Sequence, residues 1–166
     1  MSGIFYFYSM KNFTAKPDKW TKFYTYFFIV FSIALVCFIY LAHVPKAVII
    51  ITLAILFLAF LVSYLMIPKI LIEDKNIVIK NIFTSIILSP SEIKTIEKYP
   101  KISMNVRTFG VGGIFGFFGY FNWGEVWYVT NIYKKIKITT QKNKVYMISV
   151  ENPSEFLEEI NKLRES

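Results

Sequence analysis

Apolar positions divide this chain into two unlike parts. Residues 23–41 read FYTYFFIVFSIALVCFIYL and residues 47–67 read AVIIITLAILFLAFLVSYLMI, with no charged side chain in either run. Between them lie only Ala42, His43, Val44, Pro45 and Lys46. Each run holds about 20 residues, and a helix rising roughly 1.5 Å per residue then crosses a hydrocarbon core of about 30 Å. A helix also satisfies its own backbone groups, as a lipid-embedded segment must. The pattern predicts two transmembrane helices, about 23–42 and 47–67, forming a hairpin over 23–67. Two helices buried in a soluble core are the alternative, but a chain of 166 residues has little protein to surround both. The first run starts late and is long for a cleavable signal peptide. Trp20, Tyr24 and Tyr26 at one end, and Tyr64 at the other, suit an interfacial belt. Pro68 stops the second helix.

After Lys69 the texture changes to short β-branched runs separated by turn residues. Strands are expected at 70–73, 77–80, 82–88 and 93–99, then at 125–131, 134–140 and 144–150. The last two form a hairpin through Gln141, Lys142 and Asn143. Lys135, Lys137 and Thr139 alternate with Ile136 and Ile138, as in a half-solvated antiparallel strand. The end, ENPSEFLEEINKLRES, reads as a helix. Asn152 suits its N-cap, Pro153 its first turn, and Phe156, Leu157, Ile160 and Leu163 one apolar stripe. Residues 1–22 form an N-terminal segment that either pairs as a strand with the later domain, 69–166, or lies at the membrane interface through its aromatics.

Charge adds an orientation. The formal net charge is +8, of which residues 1–22 carry +3, the loop lysine +1 and residues 69–166 the remaining +4. Lys16, Lys19, Lys22, Lys69, Lys75 and Lys80 flank the outer ends of the spans, whereas the connecting loop has Lys46 alone. Basic residues near membrane ends favour the cytoplasmic side. Both termini are therefore expected in the cytoplasm of a multi-pass inner-membrane protein. Anionic headgroups account for these lysines better than nucleic acid does. Cys37 is the single cysteine, so no internal disulfide and no cysteine metal cluster can form.

The stretch RTFGVGGIFGFFGYFNWGEV, residues 107–126, holds Gly110, Gly112, Gly113, Gly116, Gly119 and Gly124 among aromatic rings. A dinucleotide fingerprint needs glycine at position 115, which is Phe115, and no G-K-[ST] ending exists for a P-loop. A strand follows the glycines, so no helix N-terminus is offered to an anion. A membrane-dipping loop over 114–121 is one reading. The simpler one is structural: the glycines take positive φ at tight bends and let rings lie on bare backbone. Phe117, Phe118 and Tyr120 remain candidates for a ligand or membrane surface.

The order of two hydrophobic spans, YLMIPKILIEDKNIVIKN, ILSPSEIKTIE, RTFGVGGIFGFFGYF, WYVTN, KKIKITT and VYMISVENPSEFLEEI resembles membrane-tethered bacterial pleckstrin-homology-like (PH) domain proteins. In that group R-x-F-G-x-G-G-x-F-G-x-x-G-x-F precedes a strand ending in Thr-Asn or Thr-Asp, and I-S-P-x-x-P-x-x-F leads into the last helix. Arg107, Phe109, Gly110, Gly112, Gly113, Phe115, Gly116, Gly119, Phe121, Thr130, Ile148, Ser149, Pro153 and Phe156 match. Val150 departs, where proline is usual. The resemblance covers about 75–166 and implies a seven-stranded, strongly bent antiparallel β-barrel or sandwich capped by the C-terminal helix. With the hairpin, the fold class is an α+β membrane protein. Lipid-phosphate recognition by eukaryotic relatives uses a basic cluster in an early hairpin. Here that hairpin has only Lys75 and Lys80 against Glu73 and Asp74.

Catalytic chemistry is not expected. His43, the single histidine, falls in the connecting loop, no paired histidines offer a zinc site, and Ser32 and Ser149 have no histidine base nearby. No cofactor and no metal are implied. Lys134, Lys135 and Lys137 make a small basic patch that reads as a solvated face or a surface for lipid headgroups. The expected role is a non-catalytic module binding a protein, peptide or lipid at the cytoplasmic membrane face. The alternative is a small accessory subunit of a membrane complex, acting through its helices. A homo-oligomer stays open.

Overall fold

The computed structural model describes residues 10–100 and 107–165. Two long helices come first, α1 (Lys19–Leu41) and α2 (Lys46–Leu65). Both are long and apolar enough to cross a membrane, and only 6% of each apolar window is buried within the protein. Helix α1 begins four residues before the predicted 23, because Asp18 caps it. The Thr21 N–H donates to Asp18 Oδ1 at 2.8 Å, satisfying one of the orphan donors of the first turn. Hydropathy marks where a helix is apolar, and not where its backbone starts.

The rest of the chain folds into two sheets and a helix. In the first sheet β1 (Lys11–Asn12), β2 (Lys69–Glu73), β3 (Asn76–Lys80) and β4 (Ser85–Leu88) lie in sequence order, all antiparallel. The second sheet contains β5 (Ile93–Lys98), β6 (Arg107–Gly112), β7 (Phe117–Phe121), β8 (Glu125–Val129), β9 (Lys135–Thr140) and β10 (Val145–Ser149). Their spatial order is β5-β9-β10-β8-β7-β6. Helix α3 (Pro153–Glu165) ends the chain.

Three expectations change. The glycine stretch is itself two strands, β6 and β7, so among the described residues the domain after α2 holds nine strands, β2 to β10, rather than the implied seven, and β1 from the N-terminal segment adds a tenth. Frequent glycine hides their alternation. The pairing of β8 with β10 is parallel, because the chain skips one place from β8 to β9 and β10 then returns antiparallel to β9, between the two. And the two sheets make an open sandwich; no closed barrel forms among the described residues. The β9–β10 hairpin is present in the expected place.

The main core lies between the sheets. Ile70, Ile77 and Ile79 from the first meet Val126, Ile136, Ile138 and Ile148 from the second, and Phe156 and Ile160 of α3 close one end. A smaller cluster of Phe121, Trp127, Val129 and Met147 forms on the other face of the second sheet.

The N-terminal segment is woven into this domain. β1 pairs with β2, the Phe13 N–H donates to Ile70 O at 2.8 Å, and the Glu151 N–H donates to Phe13 O at 2.8 Å. The buried Phe13 ring meets Phe156 edge-on at 5.1 Å. Of the two arrangements open to this segment, residues 11–15 take the strand-like one; residues 1–9 lie outside the described residues.

Candidate functional site

Two joints fix the β domain to the shared end of α1 and α2. The first is Asp18. Its Oδ1 caps α1, while Oδ2 accepts the Ile132 N–H at 2.7 Å from the loop after β8. One carboxylate thus serves a helix and a loop distant in sequence. Around it, Thr130 Oγ1 donates to Ala15 O at 2.9 Å and Asn131 Nδ2 donates to Lys16 O at 3.2 Å.

The second joint is the tip of the β6–β7 hairpin. The Phe115 N–H donates to Thr25 Oγ1 at 2.9 Å, and that hydroxyl donates onward to Thr21 O at 2.8 Å within α1. The Phe115 ring lies edge-on to Phe60 at 4.9 Å and Tyr64 at 5.7 Å, both on α2. A Cβ at Gly113 would already touch Tyr24 of α1, at 3.6 Å. The tip sits about one helical turn before the end of α2. Gly113 and Gly116 take positive φ at this tip, as the structural reading of the glycines expects, and residues 117–121 of the expected membrane-dipping loop are strand β7, with Phe118 and Phe121 buried.

Further along the hairpin, Gly110 faces Gly119 across the strands, with φ of 122° and 125°. A Cβ on Gly110 would meet Phe118 O at 2.1 Å, and one on Gly119 would meet Phe109 O at 2.3 Å. The strands approach here only because neither residue has a side chain. Gly116 leaves room for the Phe118 ring. Gly112 holds an ordinary strand φ.

The sequence-derived surface residues scatter. Phe118 is 0% exposed and belongs to the interior, so it offers no surface. Lys135 is likewise buried, at 2% exposed, and is not part of a solvated patch. Its ammonium lies 5.0 Å from the Trp127 ring centre and 5.4 Å from that of Tyr99. Burial pushes its pKa down, and the nearby Glu125 carboxylate opposes this. Lys137 lies over Tyr99 at 5.6 Å, whereas Lys134 is paired with Glu151 at 2.6 Å. Phe117 is half-buried against Phe121. Tyr120, 50% exposed, is the candidate that lines an open site.

That site is a pocket of about 320 Å³ between the β3–β4 turn and strands β6 to β8. Met66, Phe83, Thr84, Tyr120, Tyr128 and Lys144 line it, with Gly110 and Gly119 as bare floor. Lys144 forms no ion pair with a carboxylate among the described residues. Its pKa is raised by a hydrogen bond with Tyr146, with Tyr120 and Tyr128 adding to the effect. Burial raises the Tyr128 hydroxyl, and Thr84 beside it counteracts this. Sequence reasoning missed Lys144, Thr84 and Tyr128, since they come from three separate strands or turns and carry no local motif. A second opening, of about 490 Å³, lies between α1 and α2, with Phe28, Ser32, Cys37, Leu56 and Phe60 in its walls.

Among the described residues no three His, Cys, Asp or Glu side chains converge as metal ligands. The early hairpin pairs Lys80 with Glu73 at 3.9 Å.

Comparison with known proteins completes the picture. Neither the curated proteins nor the solved structures gave a match. Among protein families, the bacterial PH domain matches residues 68–164, which takes in both sheets except β1 and nearly all of α3. By this match, with two apolar helices ahead of it, the chain belongs to the bacterial PH domain family.

Proposed function

We propose that the protein is a membrane-anchored, non-catalytic binding module. Helices α1 and α2 cross the bilayer as a hairpin, and the PH domain binds a protein, peptide or lipid at the cytoplasmic face. The observation that carries this reading is the double joint at Asp18 and Phe115. It holds the domain against one end of two helices whose apolar surfaces are otherwise uncovered. Lys16, Lys19, Lys22 and Lys69 lie at that end and Lys46 at the other, an asymmetry that supports a cytoplasmic domain. Anchoring raises the local concentration of the domain near membrane partners.

The test is topology in intact cells. With Cys37 replaced by serine, single cysteines at Ser154 and at His43 are exposed to a membrane-impermeant maleimide. The expected outcome is labelling at 43 from outside and at 154 only after lysis, with the chain resisting carbonate extraction. Labelling of 154 from outside, or release by carbonate, rejects the reading.

The apolar cleft between α1 and α2 favours a second reading, an accessory subunit that receives a partner's helix there. Photocrosslinkers in the full-length chain separate the two. Partners trapped from Ile33 or Phe57 favour the accessory subunit, and partners trapped from Tyr120 or Lys137 favour the module.

A further inference from the structure

The pocket beside Tyr120 opens where α2 ends. Asn81 Nδ2 donates to Met66 O at 3.1 Å, which ties the β3–β4 turn to the last carbonyls of that helix. The turn then presents Ile82 and Phe83, the latter 60% exposed, and across the mouth stands Phe109, 75% exposed. Bare apolar side chains at the end of a lipid-length helix suit the boundary between headgroups and acyl chains.

Behind this rim the lining turns polar. Thr84, Tyr120 and Tyr128 bring hydroxyls, Lys144 brings one cation, and no carboxylate lines the pocket. Its volume, about 320 Å³, lies at the lower end of ligand-binding pockets, roughly 300–1,000 Å³. One unopposed ammonium with hydroxyl donors suits an oxyanion of low charge, and the apolar rim suits an anion carrying a hydrocarbon tail. The depth agrees. The hairpin tip packs at Phe60 and Tyr64, while Gly110 and Gly119 lie in the pocket with Met66, just past the helix end. The phosphate layer of a bilayer crossed by α2 falls at this level.

Resting on the membrane-anchored reading, we propose that this pocket binds the phosphate headgroup of an anionic phospholipid. Lys144 and the Tyr120 and Tyr128 hydroxyls face the phosphate oxygens, and Phe83 and Phe109 stand among the acyl chains. The site is separate from the β2–β3 hairpin, where Lys80 is paired with Glu73 at 3.9 Å. A phosphodiester carries one charge, which a single lysine matches.

The test uses the full-length chain. Flotation with vesicles comes first; a chain that floats with neither phosphatidylglycerol nor phosphatidylcholine vesicles rejects the anchoring reading and this proposal with it. For the floating chain, native mass spectrometry from detergent micelles counts each lipid retained. The expected result is one phosphatidylglycerol held about fivefold or more above phosphatidylcholine, the effect of one lysine near an anionic headgroup. Lys144→Gln and the double variant Tyr120→Phe, Tyr128→Phe should lose that preference and still float, whereas Lys137→Gln, on the other face of the sheet, should keep it. Equal retention of the two lipids, or an unchanged preference in Lys144→Gln, overturns the site while leaving the anchor standing. Displacement of the lipid by an equal concentration of glycerol 3-phosphate overturns the assignment to a lipid and gives the pocket to a soluble phosphate.

Discussion

The backbone N–H of Phe115 donates to the hydroxyl of Thr25 at 2.9 Å, across 90 positions of sequence. With the ring set against Phe60 and Tyr64, this bond makes the β6–β7 tip part of the helical hairpin as well as of the sheet. Truncating a fully buried phenylalanine costs about 3–5 kcal/mol. Phe115 is half-buried, so Phe115→Ala should cost about 1–2 kcal/mol. Hydrogen exchange in micelles should quicken at 113–116 and stay unchanged in β9 and β10. Exchange unaltered at the tip would show that the ring does not hold the joint.

The glycine pair makes a sharper prediction. A methyl group at position 110 or 119 would stand 2.1 or 2.3 Å from a carbonyl oxygen of the neighbouring strand. The strands must part to admit it, and the φ values there are also costly for any L side chain. Gly110→Ala and Gly119→Ala should each lower stability by about 2–4 kcal/mol in denaturant titrations of the full chain. Gly124→Ala, with open space around its missing Cβ, should cost less than either.

Asp18 is the other joint, and its two oxygens can be separated by substitution. Asp18→Ala removes the cap of α1 and the acceptor for the Ile132 N–H, for a loss of about 2–3 kcal/mol. Asp18→Asn keeps one acceptor oxygen and should lose roughly half as much. Thermal melts compare both with Lys142→Ala, an exposed turn substitution expected to change little.

Acid should loosen the N-terminal segment. The Lys134 ammonium, first, and the Lys16 N–H, second, hold the Glu151 carboxyl below its usual value of 4.5. A carboxylate with a depressed folded-state pKa contributes stability that is fully present above the unfolded value and fades as pH falls through the folded one. Stability of the full chain should therefore be flat from neutrality down to about pH 5 and decline below it. Glu155, held down chiefly by its hydrogen bond with Lys11, acts in the same window. In Glu151→Gln the decline should be shallower; a profile identical to the unsubstituted chain would remove Glu151 as a contributor.

Several elements are legible in the sequence itself. The uncharged run predicts the second helix at 47–67, and it runs from Lys46 to Leu65. The β9–β10 hairpin and α3 also occur where alternation, turn residues and the Asn152-Pro153 start put them. These features are local: each is set by residues within one or two turns or one strand pair. β6 and β7 were not legible, because glycine at every second or third position erases the alternation that marks a strand. The basic patch misled for a related reason. Lys134, Lys135 and Lys137 are neighbours in sequence, but Lys134, in the turn before β9, pairs with Glu151, and Lys135, the first residue of β9, lies in the interior.

Sequence by itself determined two uncharged runs of bilayer length, a strand-rich segment and an amphipathic end, because periodicity and hydropathy are properties of consecutive residues. Tertiary structure alone decided that Asp18 reaches Ile132, that Phe115 reaches Phe60, and that Thr84, Tyr120, Tyr128 and Lys144 share one pocket. Those meetings depend on which strands pair and where two sheets part, and pairing over such separations is selected by the packing of the whole core.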